Sequence, residues 1–151
     1  MRPLRLAAVL GLLALDRATK LWALSALAPI GTIPLLPFFD LTYVENTGAA
    51  FGMGKGANGA FMLVSLGLTG ALLWMMRGWP QDKPSLHWGG LLVVSGAMGN
   101  LYDRLAYSFV VDFLHVHYWP VFNVADSCIT VGACLLAWGL KDEVPATKKK
   151  T

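Results

Sequence analysis

Four long apolar segments without proline constrain this chain more than any other feature of its sequence. They run over residues 4–27, 59–76, 86–105 and 121–140. A helix needs about 20 apolar residues to cross the hydrocarbon core of a bilayer, so each segment is close to the required length. With 56% hydrophobic and 14% charged residues, the chain has too little polar surface to cover four such helices in water. The pattern predicts an all-α membrane protein with four transmembrane helices in a single domain.

The basic residues are unevenly divided between the two sides that alternating spans would create. If the four segments cross a membrane in turn, the termini and the loop on one side carry most of the basic residues, whereas the loops on the other side hold only Lys55. Lysine and arginine are enriched in cytoplasmic loops, so both termini and the loop at residues 77–85 are predicted to be cytoplasmic. Residues 141–151 are predicted to form a cytoplasmic tail. No nucleic-acid partner is needed to explain the lysines of that tail.

Two segments on the predicted outer side have the composition of short β-strands. Residues 38–44 and 109–116 are rich in aromatic and β-branched side chains. The first leads into a polar turn at residues 45–48, and Gly48 opens a run of small residues that permits close backbone approach. We therefore expect a small β-element at the outer face of the membrane.

Ionisable and amide side chains cluster toward the predicted outer face in three of the four segments. A charged side chain at the centre of a bilayer costs about 2.5 to 3.5 kcal/mol on insertion scales, so these residues are candidates for function. The second segment offers only Ser65 and Thr69, and its small residues favour close helix packing. Spacings of three or four residues place each polar pair on one face of a helix. The pairs are Asp16 with Lys20, Asn100 with Arg104, and Asn123 with Asp126.

These polar groups also have a structural interpretation, in which they pair with one another and hold the helices together. Asp16 can pair with Lys20, and Arg104 can pair with Asp103 or with a strand carbonyl. Asp112 differs, because it interrupts an apolar strand-like run and has no basic neighbour in the sequence. A structural role for Asp112 is therefore harder to name.

Two aspartates near the predicted outer face suggest a specific chemistry. Two carboxylates held close in a low-dielectric site cannot both ionise easily, so they share a proton, as in aspartic proteases. We expect Asp112 and Asp126 to be that pair. His115 and His117 lie on one strand face while Asp112 points to the other, so we predict no metal site and no cofactor.

Five ordered motifs, spread over nearly the whole chain, resemble those of the lipoprotein signal peptidase family, also called signal peptidase II. They are DRATK at 16–20, NTGAAFG at 46–52, GAMGNLYDR at 96–104, VVDF at 110–113 and FNVAD at 122–126. The resemblance implies four transmembrane helices, a small outer β-element, and a catalytic pair at Asp112 and Asp126. Arg17 departs from the pattern, because an uncharged polar residue is common there in the family.

The resemblance also implies the reaction and its setting. The expected substrate is a prolipoprotein whose cysteine carries diacylglycerol, and cleavage occurs just before that cysteine. The enzyme is expected in the bacterial cytoplasmic (inner) membrane as a multi-pass monomer among membrane lipids, with its active site near the outer face. The residues expected to bind substrate or support the site are Asp16, Lys20, Asn46, Gly48, Asn100, Arg104 and Asn123.

A small proton- or ion-coupled transporter subunit is the alternative function. It would use the same embedded charges as a relay. A relay must connect both faces of the membrane, whereas the inner halves of the four segments are nearly devoid of ionisable groups. The polar pattern therefore favours a site at one face.

Overall fold

The computed structural model describes residues 3–48 and 58–141, which form helices and one small sheet. Helix α1 continues into a π-helical turn at Ala23–Leu27, and a 3₁₀ turn at Met76–Gly78 follows α2. The helices are α1 (Pro3–Trp22), α2 (Asn58–Met75), α3 (Pro84–Tyr107) and α4 (Val124–Lys141), and the strands are β1 (Thr32–Leu36), β2 (Phe39–Asn46) and β3 (Val110–Val116). The predicted mostly helical chain with a small β-element is confirmed.

Two of the elements differ from the prediction. The sheet has three antiparallel strands in the order β1-β2-β3, and the prediction missed β1, which contains Pro34. Proline is tolerated there because β1 is an edge strand. The fourth segment was predicted to begin at residue 121, whereas α4 begins at Val124, because Phe122 instead pairs with Leu114 of β3. Lys141 ends α4, and the rest of the predicted tail lies outside the described residues.

By length and composition, two helical stretches among the described residues could cross a membrane. They are Asn58–Gly78 and Val124–Lys141. Helices α1 and α3 are less apolar overall because they contain polar groups, among them Asp16, Lys20 and Asp103, that are buried inside the protein. Helix α2 has the opposite character, since the side chains of Leu63 and Leu68 are 73% and 67% exposed.

Glycines let α3 approach its neighbours closely enough to bring the polar groups together. A Cβ atom on Gly89 would lie 2.8 Å from the carbonyl oxygen of Gly132, so the backbones of α3 and α4 are almost in contact. A Cβ atom on Gly99 would lie 2.5 Å from Oδ2 of Asp16, which brings α1 against α3. The sheet packs on the turn after α1 through a core that includes Leu27, Val111 and Phe113.

Candidate active site

Asp112 and Asp126 come from different elements and are bridged by a single residue. Asp112 lies in the middle of β3 and is 1% exposed, and Asp126 lies in the first turn of α4. The side-chain Nδ2 of Asn123 donates to Oδ1 of Asp112 at 2.6 Å, and the backbone N–H of Asn123 donates to Oδ2 of Asp126 at 3.2 Å. The two carboxyl groups predicted from the sequence therefore meet around Asn123.

Asn123 serves this role as the N-cap of α4 and not as a residue on a helix face. Oδ1 of Asn123 accepts the backbone N–H of Asp126 at 2.9 Å, while the Asp126 carboxylate accepts the backbone N–H of Asn123. This reciprocal pair is a capping box, which satisfies two backbone donors at the start of the helix. The same contacts fix the Asp126 side chain, and the helix N-terminus favours a negative charge there.

Asn46 holds the other oxygen of Asp112. Its Nδ2 donates to Oδ2 of Asp112 at 2.8 Å, and its Oδ1 accepts the backbone N–H of Gly48 at 2.8 Å. The register of the sheet, which pairs Val44 with Asp112, places Asn46 at this end of β2. Gly48 has a φ of +80°, and a Cβ atom there would collide with the ring of Phe61. Glycine is therefore required for the turn that orients Asn46.

Asn100 holds an oxygen of Asp126 in the same way that Asn46 holds an oxygen of Asp112. Its Nδ2 donates to Oδ1 of Asp126 at 2.7 Å, and its Oδ1 accepts from Nζ of the fully buried Lys20 at 2.9 Å. Ammonium and backbone N–H groups can only donate, so the oxygen of each amide must face them. The amide nitrogens of Asn46, Asn100 and Asn123 are thereby all turned toward the carboxyl groups.

A buried cluster of charged side chains lies on the side of Asn100 that faces away from Asp126 and holds this amide in position. Nζ of Lys20 lies 3.0 Å from Oδ2 of Asp16 and 2.9 Å from Oδ2 of Asp103. Asp16 also accepts the backbone N–H of Ala125 at 3.0 Å, which ties α1 to the start of α4. The suggested pair of Asp16 with Lys20 is present, but the partners of Asp103 are Lys20 and Arg17. The contact between Arg17 and Asp103 was not predicted, because 86 residues separate the two and no local sequence signal links them.

Arg104 lies between two cavities that reach the carboxyl groups. One cavity of about 530 Å³ is lined by Arg104, Asp112, Gly48 and Phe61, among others. A second of about 270 Å³ is lined by Arg104, Asn100 and Asp126. The guanidinium lies 5.5 Å from the centre of the Phe61 ring, and its buried Nε has no hydrogen-bond partner among the described residues. Arg104 is therefore available to a group that enters either cavity.

The surroundings of Asp112 favour its protonated form. Burial and, to a smaller extent, the nearby Asp126 charge raise the pKa of Asp112 to about 6, while the hydrogen bonds from Asn46 and Asn123 act in the opposite direction. At pH 6 about half of the molecules would carry this proton, whereas an exposed aspartate with a pKa of about 3.9 would be almost fully ionised.

His115 in β3 and His117 directly after it both contact Asp40 and not the aspartate pair. His117 Nε2 lies 2.8 Å from Oδ2 of Asp40, and His115 Nδ1 lies 3.7 Å from the same oxygen. No set of three histidine, cysteine or acidic residues within residues 3–48 and 58–141 is arranged to hold a metal ion. The geometry of the described site provides two carboxyl groups, amide donors and an arginine, which are suited to acid–base attack by water on a carbonyl group.

Comparisons with known proteins agree on one family. A family model described as signal peptidase (SPase) II matches residues 8–141. The lipoprotein signal peptidase of Thermodesulfovibrio yellowstonii is 43% identical over 133 residues, covering 84% of this chain and 87% of the relative. That of Clostridium acetobutylicum is 45% identical over 129 residues, covering 81% of this chain and 83% of the relative.

A solved structure gives the same result for the fold. A bacterial membrane enzyme determined by the in meso method at 2.3 Å resolution superposes with a TM-score of 0.86 at 26% identity. The match covers 100% of this chain and 95% of that enzyme. A second bacterial membrane enzyme structure, at 1.9 Å resolution, has a TM-score of 0.84.

Proposed function

The chain belongs to the signal peptidase II family, and from this premise we propose that Asp112 and Asp126 form its catalytic pair. The family assignment makes the chain an aspartic endopeptidase that removes signal peptides from prolipoproteins. The observation that supports the catalytic pair is the bridge through Asn123, which holds one oxygen of each carboxyl group. No contact within residues 3–48 and 58–141, and neither of the relatives named above, favours the transporter alternative.

The two aspartates divide the acid and base roles. The ionised carboxylate takes a proton from water, whose oxygen forms a bond to the scissile carbonyl carbon, while the protonated carboxyl group hydrogen-bonds the carbonyl oxygen. We assign the proton to Asp112 at the start, because burial raises its pKa to about 6. Asp126, at the N-terminus of α4, then acts as the base. Collapse of the tetrahedral intermediate breaks the C–N bond, and the leaving amine takes up a proton from the pair.

The substrate binds in the cavity beside Asp112. That cavity is lined by residues 44–48, at the end of β2 and in the turn after it, where an extended peptide could contact the main chain. Arg104 and Asn46 also line this cavity and can donate to substrate carbonyl groups. Cleavage takes place just before a cysteine that carries diacylglycerol, and the lipid anchor concentrates the substrate in the plane of the membrane.

All four helices cross the bacterial cytoplasmic membrane, with both termini in the cytoplasm. Support comes from the apolar surface of α2, the length of α4 and the excess of basic residues at one side of the chain. The small sheet and the aspartate pair then lie near the outer face. The protein acts as a monomer within the lipid bilayer.

Cleavage of a diacylglyceryl prolipoprotein by purified protein in detergent tests the catalytic pair. Asp112→Asn and Asp126→Asn should each abolish turnover, because asparagine keeps the shape of the side chain but cannot exchange the proton. Asp82→Asn, in the exposed loop before α3, is the matched control and should cleave normally. Near-normal turnover by either active-site variant would remove that residue from the pair.

Labelling of introduced cysteines from each side of the membrane tests the topology separately. Cysteines placed at Arg77 and His115 should react from the cytoplasmic and outer sides, respectively. The native Cys128 and Cys134 would first be replaced by alanine. The opposite labelling pattern would invert the proposed arrangement without affecting the test of catalysis.

A further inference from the structure

Arg17 forms an ion pair with Asp103 that has no role in the proposed mechanism. Its Nη1 donates to Oδ1 of Asp103 at 2.6 Å, and the Asp103 side chain is completely buried. The guanidinium carbon lies 5.1 Å from the centre of the Tyr102 ring and 5.4 Å from that of Tyr107. Two aromatic faces and one carboxylate of α3 thus hold the planar guanidinium of α1 in one orientation.

The other oxygen of Asp103 is directed at the strand that carries Asp112. Oδ2 of Asp103 accepts the backbone N–H of Val111 at 3.2 Å, and Val111 immediately precedes Asp112. Strand β3 is at the edge of the sheet, and among the described residues only Phe122, which pairs with Leu114, extends the ladder on its outer side. The Asp103 carboxylate accepts the N–H of Val111 in place of a neighbouring strand. The peptide unit is rigid, and the N–H of Val111 is only one residue away from the main chain of Asp112. Fixing this N–H therefore also restricts the position of the Asp112 main chain.

We propose that Arg17 is a positioning residue of the peptidase, which fixes Asp103 and, through Asp103 and Val111, the strand that presents Asp112. This inference rests on the proposed catalytic role of Asp112. Arg17 is separated from the substrate cavity, since it lines a different cavity of about 400 Å³ between α1 and α3. It therefore acts on the position of the carboxyl group and not by touching substrate.

The charge balance explains why Lys20 cannot replace Arg17. Lys20 already contacts Asp16 and Asp103, so two buried carboxylates are balanced by the two cations Lys20 and Arg17. Without Arg17, Oδ1 of Asp103 loses its hydrogen bond, and both carboxylates compete for one ammonium group. The carboxylate is then free to turn, and its hydrogen bond to the N–H of Val111 weakens.

The kinetic test compares Arg17→Gln with Arg17→Lys. Since a displacement of about 1 Å at a reacting group can cost about 100-fold in rate, Arg17→Gln should lower kcat by about 10- to 100-fold with KM nearly unchanged. Arg17→Lys keeps the charge but loses the planar fork, so it should restore part of the rate. Arg77→Gln makes the same change at an exposed site at the end of α2 and should leave kcat and KM unaltered.

Hydrogen exchange provides a readout that a purely global loss of stability would not reproduce. In Arg17→Gln the amides of residues 110–113 should exchange faster, while those of β1 and α2 keep the wild-type rate. Arg17→Lys should show the same faster exchange at residues 110–113 to a smaller degree. If the glutamine variant does not fold, exchange in the lysine variant still tests the proposal. If Asp112→Asn retains cleavage, the proposed catalytic pair fails, yet exchange in β3 still reports on the Arg17 contact. Unchanged kcat, unchanged exchange at residues 110–113, or equally faster exchange throughout the chain would overturn the proposal.

Discussion

Replacement of Asp112 by asparagine should change how the stability of the protein depends on pH. Burial raises the pKa of Asp112 from 3.8 to about 6, so the folded protein binds this proton more tightly than the unfolded chain does. One pKa unit corresponds to about 1.4 kcal/mol, so the shift of about two units is worth about 3 kcal/mol. This stabilising contribution is fully present below about pH 4 and is lost as the pH rises through about 6. The wild type should lose it across that window, whereas the variant should not.

A second effect of the same substitution does not depend on pH. The two oxygens of Asp112 accept from Nδ2 of Asn46 and Nδ2 of Asn123. The introduced amide nitrogen would face one of these donors, and neither asparagine can turn over without losing a backbone N–H on its own oxygen. The unsatisfied contact should cost about 1 to 3 kcal/mol at every pH. Comparison between pH values therefore isolates the ionisation of Asp112.

Reversible unfolding in detergent micelles at about pH 4, 6 and 8 measures both effects. Relative to the wild type, Asp112→Asn should be clearly less stable at the lowest pH and should gain about 3 kcal/mol by the highest. Asp82→Asn, at an exposed position, should follow the wild type at all three values. A difference between Asp112→Asn and wild type that stays constant within about 1 kcal/mol from pH 4 to 8 would refute the argument from burial.

Three further results are expected. Gly99→Ala should destabilise the protein, because the new Cβ atom would lie 2.5 Å from Oδ2 of Asp16, whereas Gly67→Ala, with open space around it, should be tolerated when both are measured by unfolding. Lys20→Met should cost about 3 to 5 kcal/mol in the same assay or prevent folding, since it leaves two buried carboxylates short of a cation. The rate at saturating substrate should follow a bell-shaped pH profile that belongs to the aspartate pair as a unit, and a profile with one ionisation, or loss of activity with a chelator, would contradict the shared proton.

Much of the site could be predicted because its polar residues stand out against an apolar background. Helical spacing placed Asp16 with Lys20, and the approach of several polar pairs to one face indicated a common site. The role of Asn123 was misjudged, since a shift of three residues in the start of a helix converts a face residue into a cap. Strand β1 was missed because Pro34 lowers the strand signal, although an edge strand tolerates it.

The partners of Asp103 could not be predicted for a different reason. Sequence proximity suggested Arg104, but the next residue along a helix points about 100° away and cannot meet the same carboxylate easily. The actual partner, Arg17, reaches Asp103 only because α1 packs against α3 at Gly99. Contacts of this kind depend on how two helices pack, which short-range sequence patterns do not specify.

The arrangement of charges around Asp112 and Asp126 is the one that the proposed shared proton requires. A cation bonded directly to either carboxyl group would favour its ionised form and oppose protonation of the pair. Among the described residues, the groups that hydrogen-bond Asp112 and Asp126 are neutral amides of asparagines and the main chain. Lys20 hydrogen-bonds Asn100, which in turn hydrogen-bonds Asp126, so Lys20 orients Asn100 without contacting Asp126. The buried cations thus fix the geometry of the pair through neutral amides, an arrangement that is compatible with the proposed transfer of a proton between the two aspartates and the substrate.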